Sequence, residues 1–118
     1  MKNINGESFE VRLEDNSTVF FKGALRLRGT EDYAPILEML KETLKETSDN
    51  PAAPIVLDLR ELDFLNSSGI TMFSRFVIEA RNHAGINLQF LASETVPWHA
   101  RSLRNLQRLM PGLNIRLS

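Results

Sequence analysis

The hydrophobic pattern of the chain switches repeatedly between two periods. Phe9, Val11 and Leu13 alternate with Glu10, Arg12 and Glu14, the pattern of a half-buried strand. Asp15-Asn16-Ser17 is a turn cluster. A second strand is expected from about Thr18 to Arg28, paired with the first as an antiparallel hairpin. Gly23 interrupts it and marks a candidate bulge. The period then lengthens. Tyr33, Ile36, Leu37, Leu40 and Leu44 share one helical stripe, with Lys41, Glu42, Lys45 and Glu46 off it. This predicts a helix over 33–47, capped by Asp32, with Pro35 in its first turn. Residues 48–54 read as a loop. Ile55 to Leu59 is apolar apart from Asp58, as in a strand buried on both faces within a parallel sheet. A second helix begins within Asn66–Gly69 and buries Ile70, Phe73, Phe76, Val77 and Ala80. Arg81 and His83 suit its C-terminus, and Gly85 its stop. Ile86 to Ala92 is a further strand. Thr95 is expected to cap a third helix, with Pro97 in its first turn and Ala100, Leu103, Leu106 and Met110 inward. Pro111-Gly112 ends it, and Leu113, Ile115 and Leu117 alternate with Asn114 and Arg116 in a last strand.

The order β-β-α-β-α-β-α-β predicts an α/β fold. The expected architecture is one domain over residues 1–118, with a mixed, mostly parallel sheet, an N-terminal antiparallel hairpin and three helices. Right-handed crossovers make the last four strands parallel. Ligands of such sheets gather at the carboxyl ends of the strands. Three loops are expected to share that edge: Gly29–Asp32, Asn66–Gly69 and Ser93–Trp98. Ser67, Arg28 and Trp98 would then lie at one end of the molecule.

Composition narrows the chemistry. The 118 residues include 14 basic and 15 acidic side chains, so no net charge draws the chain to nucleic acid or an acidic membrane. There is no cysteine, which removes disulfides, thiolate catalysis and cysteine zinc sites. The N-terminus lacks an apolar signal core, and no apolar run approaches the ~20 residues of a bilayer span. A cytoplasmic protein with no membrane insertion is the expectation. No G-x-S-x-G, H-E-x-x-H or Walker A sequence is present. His83 and His99 are the two histidines; in the first turn of a helix His99 reads as a surface residue. A noncatalytic protein with no cofactor and no metal is expected.

Asn66-Ser67-Ser68 is the cluster that remains. Each of the three is a preferred helix cap, and one must fill that role. A spare hydroxyl at a helix N-terminus can carry a phosphoryl group, whose charge the helix end tolerates. Arg101, Arg104 and Arg108 form a basic stripe on the third helix, read as a solvated face or as a surface for an acidic partner. Trp98 reads as core packing or as an interface anchor.

The run IVLDLRELDFLNSSGI resembles the signature of STAS domains, the fold of bacterial anti-sigma-factor antagonists. Members carry an apolar strand followed by Asp-Ser-Ser/Thr-Gly-Leu/Ile at a helix start. ALRLRGTEDYAPI is similar to the family's strand–Gly–helix connection. LRLRG, LNSSGI and SLRNLQRLMP further resemble a subgroup of small bacterial STAS-like regulators. The resemblance implies a phosphoacceptor at Ser67, with Ser68 as the alternative. It implies partner contacts through Asn66, Ser67, Ser68, Gly69 and Thr71, with Arg28 and Trp98 beside them. The implied partner is an anti-sigma factor that is also a serine kinase: the unmodified antagonist binds it, phosphorylation ends binding, and a phosphatase restores it. Asn66 stands where the family has aspartate, which removes a negative charge beside the acceptor. The C-terminal helix of many members is not expected, so no site on it is carried over. Two other readings stay open: an anion- or nucleotide-sensing module using the same helix end with Arg28, and a constitutive scaffold subunit without a phospho-switch.

Overall fold

The computed structural model describes residues 3–15, 17–47, 54–83 and 85–118. Asn16 of the expected turn and residues 48–53 of the expected loop lie outside the described residues. Along the chain run β1 (Asn3–Asn5), β2 (Phe9–Leu13), β3 (Thr18–Leu25), α1 (Gly29–Thr47), β4 (Ile55–Leu65), α2 (Ser67–Arg81), β5 (Leu88–Ala92), α3 (Pro97–Leu109) and β6 (Asn114–Leu117). The strands form one sheet in chain order. The β1–β2 and β2–β3 pairs are antiparallel. The β3–β4, β4–β5 and β5–β6 pairs are parallel. The mixed, mostly parallel sheet, the N-terminal hairpin and the three helices are all present. β1 is an addition: its three residues are too few to show an alternation, and only Ile4 is half-buried.

Parallel strands laid down successively in one direction, with right-handed crossovers, put every helix on the same face of the sheet. α1 accordingly packs on α2, and α2 on α3. Phe73 of α2 meets Phe21 of β3 and Phe90 of β5 edge-on at 5.3 and 5.9 Å, fixing the core between helices and sheet. The opposite face carries no helix among the described residues, yet four of the five residues of Ile55–Leu59 are buried and Val56 is half-buried, as expected of a strand in the middle of a parallel sheet. On that face Arg12, Phe20 and Asp58 lie opposite one another across β2, β3 and β4. The Arg12 guanidinium stacks 4.6 Å over the Phe20 ring, and Arg60 holds Asp58 with contacts of 2.7 and 2.9 Å. These long side chains shield the bare face, so Phe20 is only 8% exposed and Asp58 7%. Burial alone would raise the Asp58 pKa, but the hydrogen bonds and charge of Arg60 hold it below its ordinary value.

β4 extends to Leu65, six residues past the apolar run that announces it. Its register against β3 slips twice. Phe20 to Lys22 spans Asp58 to Glu61, and Gly23 to Ala24 spans Leu62 to Phe64. Each slip inserts one residue into β4, so buried positions fall at Leu59, Leu62 and Leu65 rather than alternating. Gly23 lies beside both slips with φ +94°, and a β-carbon there would approach the Ser8 carbonyl oxygen to 2.2 Å. The irregularity expected at Gly23 is present, with the extra residues on the facing strand β4 rather than in the strand of Gly23 itself.

Helix boundaries differ from expectation at two points. α1 begins at Gly29, so Asp32 is not its cap; its carboxylate reaches back to accept the Arg28 backbone N–H at 3.2 Å, and Pro35 falls in the second turn. Thr95 does not cap α3. Val96 occupies that position without a side-chain bond, while Thr95 pairs with the Ser93 hydroxyl at 2.7 Å. Pro97 opens α3 as expected.

Candidate functional site

Asn66 ends β4 and caps α2, and its amide binds at both ends. Oδ1 accepts the Gly69 N–H at 3.0 Å and the Tyr33 hydroxyl at 2.6 Å. Nδ2 donates to the Leu27 carbonyl at 2.8 Å. The backbone N–H of Asn66 donates to Leu25 at 3.2 Å. One side chain therefore fastens the α2 start to α1 and to the β3–α1 connection. Tyr33 is buried on α1, and burial pushes its phenol up despite the opposing hydrogen bond to Leu27. It stays protonated and serves as a donor.

With Asn66 as cap, both serines are released from that duty. Ser67 is exposed in the first turn of α2, and among the described residues its hydroxyl has no hydrogen-bond partner. Its carbonyl accepts the Thr71 hydroxyl at 3.1 Å. Ser68 is half-buried and turns into a cleft of about 140 Å³ between the first turns of α1 and α2. Thr30, Thr71 and Arg75 supply the other polar groups of that cleft, over Tyr33, Leu37 and Met72. Gly69 is buried and offers no surface. A β-carbon there would meet Leu65 at 2.2 Å and the Tyr33 hydroxyl at 2.8 Å, so its place is close packing beneath the cap.

Arg28 and Trp98 share this end of the sheet with Ser67, since each follows the carboxyl end of a parallel strand. Neither lines the cleft. Arg28 is exposed at the start of α1. Trp98 is half-buried against the core, with its indole N–H donated to the Asp63 carbonyl at 2.9 Å. The tryptophan thus braces the end of β4 from the α3 side while Asn66 braces it from the α1 side. The guanidinium that lines the cleft is Arg75, two turns along α2.

Sequence reading misplaces His99. It is 0% exposed, and its ring spans two elements. Nδ1 accepts the Ser93 backbone N–H at 3.0 Å, which leaves Nε2–H to donate to the Leu62 carbonyl at 2.9 Å. The neutral tautomer is fixed by these partners. The signal lies in the periodicity, because His99, Leu103, Leu106 and Met110 share one face of α3. Burial lowers the His99 pKa from its ordinary 6.5, against the opposing effect of its backbone bonds and Asp63. The unfolded chain takes up this proton as pH falls through about 6.5, while the folded chain resists it. The stability His99 contributes is therefore complete above that value and is lost on acidification. The melting temperature is expected to fall as pH drops below about 6.5, with the ring titrating below that value by NMR and the neutral form being the Nε2–H tautomer. A His99 ring that titrates at or above 6.5 would contradict this.

Among the described residues, no group of three or more His, Asp or Glu could hold a metal ion, and no helix is long and apolar enough to cross a membrane. No family model and no curated protein matches the chain. Among solved structures it is similar to apo-SiaC from Pseudomonas aeruginosa, with a TM-score of 0.69 at 12% identity, over 100% of this chain and 99% of that one. The likeness runs end to end, and at that identity it speaks for the fold: this chain has a STAS-like α/β fold.

Proposed function

We propose that this protein is a noncatalytic signalling regulator that binds a partner protein through the first turn of α2, and that phosphorylation of Ser67 switches the binding off. The observation that carries the reading is the division of labour at the helix start. Asn66 supplies the side-chain cap, accepting the Gly69 N–H, while the Ser67 hydroxyl is exposed and without a partner among the described residues. A phosphoryl group there adds about −1.5 to −2 charges at the positive end of a helix dipole, where the fold tolerates it. The same charge, covered by a docked partner, costs affinity unless the partner supplies a cation. The contact surface comprises Ser67, Ser68 and Thr71, with Arg28 at its margin; Asn66, Gly69 and Trp98 hold that surface in place from beneath. The partner class rests on the sequence resemblance: an anti-sigma factor with serine kinase activity, its phosphorylation reversed by a phosphatase.

The test is the affinity of wild type, Ser67→Ala and Ser67→Asp for the protein that co-purifies from the native cell. Ser67→Ala is expected to bind as wild type does, and Ser67→Asp to bind at least about tenfold more weakly with the fold intact. Ser68→Asp serves to separate the neighbouring hydroxyl: if it alone weakens binding, the acceptor is Ser68. Equal affinity for all the variants would remove the switch.

A further inference from the structure

The basic stripe on α3 has no part in the Ser67 surface, and it borders an open sheet edge. β6 is the last strand of the sheet, with β5 on one side and nothing paired on the other among the described residues. A strand in parallel pairing turns successive peptide groups to opposite sides. Ser118 uses both its N–H and its C=O on the β5 side, donating to Ala92 and accepting from Glu94. By alternation Arg116 and Asn114 also face β5, so the N–H and C=O groups of Ile115 and Leu117 point outward. The side chains of Ile115 and Leu117 lie toward α3 and, with Ala100, Arg104 and Gln107, line a groove of about 200 Å³. Leu117 is 41% exposed, among the most exposed large apolar side chains described. Gln107 is fixed by its bond to the Leu113 carbonyl at 2.9 Å, which holds the groove's inner end. Arg104 stands on the groove wall, with Arg101 and Arg108 about one turn away to either side on the same stripe of α3. All three are exposed and unpaired among the described residues.

We infer that this groove takes an extended acidic peptide segment of a partner protein, added to the sheet as a strand along the outer edge of β6. Four observations converge on that occupant. Outward N–H and C=O groups on alternate residues are the template for strand addition. A helix overhanging the edge gives the added strand a wall for every second side chain. The wall carries the Arg104 cation, and the floor is the apolar pair Ile115 and Leu117. The spacings also match: Arg104 and Arg108 are about 6 Å apart along the helix axis, and alternate side chains of a strand are about 6.6 Å apart. Carboxylates at alternate positions of the peptide would therefore meet successive arginines while their methylenes cover Ile115 and Leu117. The other edge of the sheet lacks these features, because β1 is three residues of Asn-Ile-Asn.

The test uses a short fluorescein-labelled peptide of alternating glutamate and valine, with a lysine–valine counterpart, followed by anisotropy. The acidic peptide is expected to bind at least about tenfold tighter than the basic one, with affinity falling as salt rises. Arg104→Glu should weaken it at least about tenfold. Leu117→Pro removes an outward N–H and none of the bonds to β5; it should weaken binding to a similar degree with circular dichroism unchanged. An acidic peptide N-methylated on the residues facing β6 should likewise fail to bind. Ser67→Asp should leave this binding unaltered, which separates the groove from the phospho-switch. Binding that survives both Leu117→Pro and N-methylation would overturn strand addition. Equal affinity for the acidic and basic peptides, or no binding of either, would overturn the acidic occupant.

Discussion

Replacing Asn66 with alanine is expected to cost about 3 kcal/mol of folding stability, from a lost helix cap, a buried Tyr33 hydroxyl left without its acceptor and a half-buried Leu27 carbonyl left without its donor. The two stranded groups are the Tyr33 hydroxyl and the Leu27 carbonyl, which the Asn66 amide satisfies at 2.6 and 2.8 Å. Asn66→Asp is the sharper probe, because it keeps the acceptor oxygen and removes only the amide donor. A carboxylate still accepts from Tyr33 and Gly69, but it cannot donate to Leu27 and sets an anionic oxygen against that carbonyl. The expected cost is about 2 kcal/mol at pH 7. Protonation of the new carboxyl restores a donor, so its folded-state pKa is raised, and the difference from wild type shrinks as pH falls toward the carboxyl range. Taking the difference cancels the acid sensitivity of His99, which both proteins share. Urea unfolding over that pH range provides the measurement. An Asn66→Asp protein as stable as wild type at pH 7 would show that the amide donor contributes nothing.

Gly69→Ala is expected to lose about 3 kcal/mol, combining overpacking with damage to the same hydrogen-bond cluster. The new methyl would sit 2.2 Å from a Leu65 methyl and 2.8 Å from the Tyr33 oxygen. Leu65 closes the core end of β4 and cannot yield freely, since it packs against other buried side chains. Pushing Tyr33 away breaks its bond to Asn66. Helix propensity pulls the other way, but by only about 1 kcal/mol. Chemical denaturation of the purified variant measures the sum. A loss below about 1 kcal/mol would mean that Leu65 and Tyr33 move aside at little cost. Gly69 thus acts from beneath the surface, where it lets α2 approach β4 and α1 closely enough for the cap to form.

What the sequence discloses follows from how local its physical cause is. α2 is legible because an apolar stripe, a polar cap cluster and a terminal arginine all lie within its own residues. The parallel sheet follows from the alternation of strand and helix periods. The second half of β4 is not legible, because its two inserted residues replace alternation with the spacing Leu59–Leu62–Leu65. Those insertions are set by the partner strand around Gly23, which the β4 residues do not reveal. The capping roles at α1 and α3 are misjudged for a related reason. Asp32 and Thr95 are good caps by residue type, yet each has a nearer partner, the Arg28 N–H and the Ser93 hydroxyl. At the site itself, the exposed position of Ser67 is foreseeable from its place beyond a cap. The cleft lined by Ser68 and Arg75 is not, because it arises where two helices meet through Tyr33, thirty-three residues before its hydrogen-bond partner Asn66.

A charge at position 67 is expected to be neutral to the fold and decisive for the partner. The direct measurement compares unmodified protein with protein carrying phosphoserine at Ser67 over its full population, in both thermal unfolding and affinity for the co-purified partner. The account predicts melting temperatures that agree closely and an affinity lowered at least about a hundredfold. Phosphorylated protein that binds as tightly as unmodified protein, or that no longer folds, would contradict it.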